Sequence, residues 1–251
     1  MSDAEPWTTD QLHSERMLAF ATEHLVGGIN FEARTEERAA TVREKSKLVY
    51  GDTLLHCRLQ LLAIAEILFA RRSAVPGNAT ESSSDRLVLI AAFFQGITAT
   101  EKLISEGQYV RAAAALKQEL EVLARVGETI AGTAKPGRTP NVKYAPSGAG
   151  PIYGQLNDVA HPSTPQLLAT LLDVFDDGGT HGVSYLPTFI GDRAVALYEL
   201  HVWLLLEMVR EMVRLQDDLY GTDEDLFACV AWWHLVATRM HNAGHISREA
   251  P

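Results

Sequence analysis

The chain has 251 residues, 47% of them hydrophobic and 22% charged, with 32 acidic residues against 22 basic and a formal net charge of −10. That composition excludes disorder over most of the length and allows a sizeable core. The acidic balance argues against a broad phosphate-binding surface, which needs clustered Lys and Arg, though a local basic groove could still exist.

The opening "MSDAEPWTTD" is acidic and lacks an apolar stretch, unlike a secretory signal. Helical periodicity then dominates. A first helix is expected over 8–26, N-capped by Thr9 or Asp10 and stopped by Gly27 and Gly28. A second runs from Thr35 to about Arg72, solvated in its charged first half and central to the core in its apolar second half. "PGNATESSS" at 76–84 reads as a loop whose Ser84 or Asp85 caps a third helix, 85–105. Gly107 separates it from a fourth, 108–131, and predicts a left-handed C′ residue in a tight antiparallel hairpin.

Residues 132–151 hold four prolines and cannot continue a helix, so a mobile loop is expected there. A short helix, 152–161, should end at Pro162. The stretches 167–175 and 181–190 leave room for a small β-hairpin. Asp192 should cap a long helix ending at Gly221, and Thr222 should cap the last one, 223–240. The fold class that follows is all-α: one domain, 1–251, built as a bundle of about six or seven helices.

Cys57 and Cys229 sit far apart in apolar helical runs, as small buried hydrophobes of a reducing compartment rather than a disulfide. The longest apolar run, "LVLIAAFF" at 87–94, is too short to span a bilayer. A cytoplasmic location without a membrane partner is therefore the expectation.

The segment "YGQLNDVAHPS" at 153–163 draws the most attention. On a helix, Tyr153, Asn157 and His161 recur every four residues and share one face, with Asp158 within reach of His161. A histidine in the last turn is favoured in its protonated form by the helix dipole. It either serves as an acid, base or phosphate donor in a polar pocket, or simply satisfies the last carbonyls before Pro162.

"LISEGQYVRAAAALKQELEVLA" at 103–124, a following tyrosine and "LNDVAHP" at 156–162 resemble a group of uncharacterised bacterial all-helical proteins, some similar to the HEPN superfamily. The resemblance spans about residues 85–220. It implies a helical bundle, often dimeric, and in many members a metal-independent ribonuclease of toxin–antitoxin or phage-defence systems. Those use an Arg followed by four to six residues and a His. Carried over, His161 would be the catalytic histidine, with Asn157 and Tyr153 beside it. Gln155 stands where the Arg would serve, and glutamine can bond a phosphate without neutralising it. With Gln155 and Asp158, Arg111 and Arg125 from the preceding hairpin would complete the ligand-binding set by supplying the cation.

A literal Arg-to-His spacing occurs in "RMHNAGH", with Arg239 and His245, but chance supplies such pairs readily. His241 and His245 stand at i and i+4, yet no H-E-x-x-H or paired C-x-x-C accompanies them, and no metal or other cofactor is expected. Glu66, Glu101, Arg111 and Glu121 interrupt apolar helices and call for inter-helical ion pairs. His201, on a stripe with Leu205, Met208 and Met212, reads as a core histidine. "DDLYGTDED" at 217–225 is best explained as a helix end and a cap, and Lys135, Arg138 and Lys143 form a modest basic cluster.

The functional expectation is a non-catalytic interaction or binding module of HEPN-like type. It would form a homodimer through the apolar helices 191–220 and 223–240, with RNA, a nucleotide or another protein as further partners. The alternatives are a metal-independent ribonuclease of a defence or toxin–antitoxin system, and a bundle with a small-molecule pocket.

Overall fold

A computed structural model describes residues 15–70, 76–161, 165–172, 174–177 and 180–246. Its helices are α1 (Glu15–Val49), α2 (Asp52–Ala70), α3 (Glu81–Ser105), α4 (Tyr109–Ile130), α5 (Ala149–Ala160), α6 (Pro165–Ala169), α7 (Gly191–Tyr220) and α8 (Glu224–Asn242). One antiparallel hairpin, β1 (Val174–Asp177) with β2 (Thr180–Val183), lies between α6 and α7. The all-α reading holds, and the hairpin falls inside the stretch where one was expected.

The first helical boundaries need correction. Gly27 and Gly28 do not stop a helix: α1 runs straight through them, and the break falls at Gly51, in the left-handed region at φ +75°. A glycine inside a helix costs about 1 kcal/mol relative to alanine, which long helical flanks can absorb. The break is fixed instead by tertiary packing, because Tyr50 turns into the core and stacks on Tyr198 with ring centroids 4.0 Å apart. The expected caps at Thr9 or Asp10, and the stops at Arg72 and Pro162, lie outside the described residues.

Three caps also differ from expectation. Thr80, not Ser84 or Asp85, caps α3, in a reciprocal box with Ser83. Ile190 precedes α7, so Asp192 sits in its first turn rather than at the cap. Asp223, not Thr222, caps α8 by accepting from the Leu226 amide, while the Thr222 hydroxyl turns back to Asp217. Aspartate is the stronger of the two as an N-cap acceptor.

α7 is the central element, packed on α2, α3, α4 and α8. Its buried side chains, among them Val202, Leu204, Leu205, Met208 and Val209, meet Leu54, Leu61 and Leu68 of α2, Ile90 and Phe93 of α3, and Leu116 and Leu120 of α4 in one core. Each such side chain contributes about 1.5–3 kcal/mol by leaving water. The α3–α4 hairpin turns at Gly107 as expected, at φ +75°, and a Cβ there would run into the Thr188 carbonyl oxygen. Both cysteines are free and buried.

Among the described residues, Asp52–Ala70 and Glu81–Ser105 are long and apolar enough to cross a membrane by length and composition alone. Both belong to the bundle, and the Arg58–Glu101 ion pair joins them.

Candidate functional site

The segments that carry the HEPN resemblance meet in space. α4 and α5 pack together, and the Tyr153 hydroxyl donates to Glu121 Oε1 at 2.9 Å. Lys117 Nζ bonds the same Glu121 oxygen at 2.8 Å and lies 5.5 Å from the centre of the Tyr153 ring. Burial first, then the Glu121 bond and charge, raise the Tyr153 hydroxyl above its ordinary value. The hydrogen bond to Glu121 likewise raises Lys117, against a smaller opposing effect of burial. The spacing Lys117–Glu121 is one helical turn, so this cluster follows from α4 once α5 lies beside it.

The other members of the expected set are spread around it. Asn157 is half-buried, while Gln155, Asp158 and His161 are exposed. His161 is the C-cap of α5, its amide donating to the Asn157 carbonyl at 3.0 Å. Arg111 is exposed on α4. Arg125 is engaged elsewhere: it bonds Glu128 and the carbonyls of Lys135 and Arg138, fastening to α4 the loop expected over 132–151, which ends at residue 148 because α5 already begins at Ala149. Glu128 accepts from the Asn141 amide at 2.8 Å, and a Cβ on Gly127 would strike the Tyr144 carbonyl, so the loop is held close along its length.

The strongest electrostatic cluster lies in the core instead. Arg58 of α2 makes two hydrogen bonds of 2.7 Å to Glu101 of α3. His201 of α7 is wholly buried, with Nδ1 2.9 Å from Glu119 Oε2 of α4 and Nε2 3.4 Å from Glu101 Oε1. Burial opposes a charge on His201, but the Glu119 carboxylate, then hydrogen bonding to both glutamates, outweighs it and raises the pKa to about 9. Two carboxylates are then balanced by one guanidinium and one imidazolium, and the cluster is neutral as a whole. Burial would also raise the Glu101 carboxyl, yet the bonds from His201 and Arg58 hold it below its usual range.

The expected core ion pair therefore exists but with different partners. Glu101 pairs with Arg58 rather than Arg111, Glu121 pairs with Lys117, and Glu66 is exposed. Arg58 and Glu119 are not among the charged residues singled out from the sequence, although both lie on apolar stripes: Leu54, Arg58, Leu61 and Ala65, and Ala112, Leu116, Glu119 and Leu123. A charged residue at a stripe position was the available signal. His201 is the core histidine expected.

At the end of α8, Arg239 Nη1 donates to Gln60 Oε1 at 3.1 Å, and His245 Nδ1 lies 2.8 Å from Glu199 Oε1. His241 Nδ1 lies 3.3 Å from the Ile246 carbonyl oxygen. Among the described residues no group of three or more His, Cys, Asp or Glu side chains is placed to hold a metal.

A third region stands apart from the bundle. Every residue of α1 from Leu18 to Arg34 is exposed, including Leu18, Phe20, Leu25, Val26, Ile29 and Phe31. α1 joins the bundle only further along, where Ala39, Val42 and Ser46 are buried. At that junction a cleft of about 120 Å³ is lined by Arg38, Thr41, Val42, Lys45, Thr188 and Phe189. It is smaller than the roughly 300–1,000 Å³ of ordinary ligand pockets. A wider, open recess of about 450 Å³ lies along Gly27, Asn30, Ala33, Arg34 and Glu37.

Comparisons of the chain with protein-family models, with curated proteins and with solved structures return no match.

Proposed function

We propose that this protein is a cytoplasmic, non-catalytic interaction module of HEPN-like type, and that its binding surface is the projecting half of α1. The observation that carries this reading is the run of exposed apolar side chains from Leu18 to Ile29, which no described part of the bundle covers, with Phe31 beyond it stacked on Tyr185 at the junction. An isolated helix of this length is marginal in water, more so with Gly27 and Gly28 inside it, so a partner surface is what such an arm needs. Large uncovered apolar patches on otherwise well-packed domains mark interaction sites. The main buried charge cluster ties four helices together, which suits a rigid scaffold. The apolar side chains of α7 named for the dimer are largely covered by the chain's own helices, whereas α8 leaves Phe227 and Leu235 exposed.

The test is binding of an environment-sensitive dye at nanomolar chain concentration. Wild type should bind it, and the double variant L25E/I29E should lose that binding with the melting temperature of the bundle unchanged. Equal dye binding by both proteins would remove the arm as the interaction surface.

One observation favours a second reading, the metal-independent ribonuclease. The Glu199 carboxylate orients the His245 ring, as a general base requires, with Arg239 on the same helix end. Losing an essential acid–base histidine costs about 10²–10⁴-fold in rate. Wild type, His245→Ala and His161→Ala should be compared on single-stranded RNA with chelator present. Absence of wild-type cleavage is the result the interaction-module reading expects.

A further inference from the structure

Within the exposed half of α1, Leu18, Ala21, Leu25 and Gly28 follow one another at intervals of three, four and three residues. That is the a/d spacing of a coiled-coil seam, and it places all four on one narrow face. Leu18 and Leu25 take one heptad position; the small residues Ala21 and Gly28 take the other. Ile29 lies along one edge of the seam and Phe31 along the other. A Cβ built on Gly27 or Gly28 would meet nothing within 4 Å, so nothing among the described residues requires the absence of a side chain there.

The alternation becomes meaningful when a second, identical helix is laid antiparallel. In that arrangement one heptad position faces the other across the seam. With the two-fold axis at residue 23, Leu18 faces Gly28 and Leu25 faces Ala21, each leucine opposite a small residue, twice over by symmetry. A parallel pair would instead set Leu against Leu, and Gly28 against Gly28 across a void. It would also bring the two bundles side by side at the same end. In the antiparallel pair Ala39, where α1 enters the bundle, lies about 24 Å from the axis on either side, so the bundles stand clear of each other.

The area is adequate for a reversible dimer. An arm about 25 Å long and about 11 Å across has roughly 1,000 Å² of accessible side surface. Covering a little under half of each arm buries about 800–1,000 Å² in total, at the lower edge of specific interfaces. Charge argues against a lipid occupant: from Leu18 to Arg34 the arm has Glu23 and Glu32 against Arg34, a net of −1 with histidine neutral. A helix that lies on anionic lipid has a Lys- and Arg-rich polar face.

We infer that the partner of the projecting α1 arm is a second copy of the same chain, joined antiparallel along Leu18, Ala21, Leu25 and Gly28 into a reversible dimer with a micromolar dissociation constant. This rests on the reading of the arm as the interaction surface and names its occupant.

The test uses two single variants of the full chain, A21C and L25C, with sedimentation of each and of wild type over a concentration series. Mild oxidation should cross-link the mixture of A21C with L25C at micromolar concentration and neither variant alone. G28V, which puts a branched side chain opposite the partner's Leu18, should raise the dissociation constant at least tenfold with helix content preserved by circular dichroism. Cross-linking of each variant with itself would overturn the antiparallel pairing. A dimer unaffected by G28V and not cross-linked would show that copies meet through another face, which overturns this inference. A monomer with rapid amide exchange over 17–33 would overturn it while leaving the arm as a surface for a different protein. A monomer with those amides protected would overturn both this inference and the interaction-module reading, since the chain would then cover its own arm.

Discussion

The core around His201 and the projecting half of α1 solve opposite problems. In the first, charged side chains are buried, and three ion pairs from four helices compensate them. In the second, apolar side chains are exposed, and among the described residues only Tyr185, stacked on Phe31 at its inner end, compensates them. Buried charge is costly unless paired within the fold, while exposed apolar surface is costly unless covered from outside. The contrast separates what this chain settles alone from what it leaves to a partner.

The largest effect should come from Glu101, which stands between Arg58 and His201. Glu101→Leu strands the Arg58 guanidinium in the core and leaves His201 with Glu119 alone, and should lower the unfolding free energy by about 3–5 kcal/mol in urea titration. Leu25→Ser in the arm should change it by no more than about 0.5 kcal/mol at nanomolar concentration, where dissociated chains dominate. Comparable losses for the two would erase the distinction between the regions.

Titration sharpens the same contrast. His201 has a folded pKa of about 9, above the ordinary histidine value of 6.5. Protonation therefore favours the folded state. The contribution is complete below about pH 6.5, declines as pH rises, and is gone above about pH 9, amounting to roughly 3 kcal/mol. Stability of wild type relative to His201→Gln should fall across that window. A difference that is flat between pH 6 and pH 9 would show that His201 is neutral in the fold.

Glycines offer a smaller and opposite pair of effects. Gly107→Ala must accept a left-handed backbone and a collision with the Thr188 carbonyl, and should destabilise by more than about 1 kcal/mol. Gly28→Ala meets open space in a regular helix and should stabilise the dissociated chain by up to about 1 kcal/mol. Calorimetry at low concentration separates them. The smallest effect expected is that of Tyr153→Phe, which removes one half-exposed hydrogen bond to Glu121 and should cost about 0.5–1 kcal/mol by denaturant titration.

Much of the bundle is legible in the sequence because helical periodicity and the glycines at 107 and 221 act locally. The continuity of α1 through Gly27 and Gly28 is not, since local propensity predicts a stop there. The break at Gly51 depends on Tyr50 finding Tyr198, a contact across nearly 150 residues. The candidate site divides in the same way. That Tyr153 shares a face with Asn157 and His161 follows from spacing, but that it bonds Glu121 depends on how α5 lies against α4. Charged residues on apolar stripes signalled the core cluster, yet only tertiary packing selects Arg58 and Glu119 as its members. The exposure of the arm had no sequence signal, because Leu18, Leu25 and Ile29 look like core residues until the core is seen to be elsewhere.

Hydrogen exchange followed against chain concentration tests the central claim most directly. Amides of residues 17–33 should exchange rapidly in the nanomolar range and become protected as the chain reaches tens of micromolar, while those of α7 stay protected throughout. Arm protection that does not change with concentration would contradict the account.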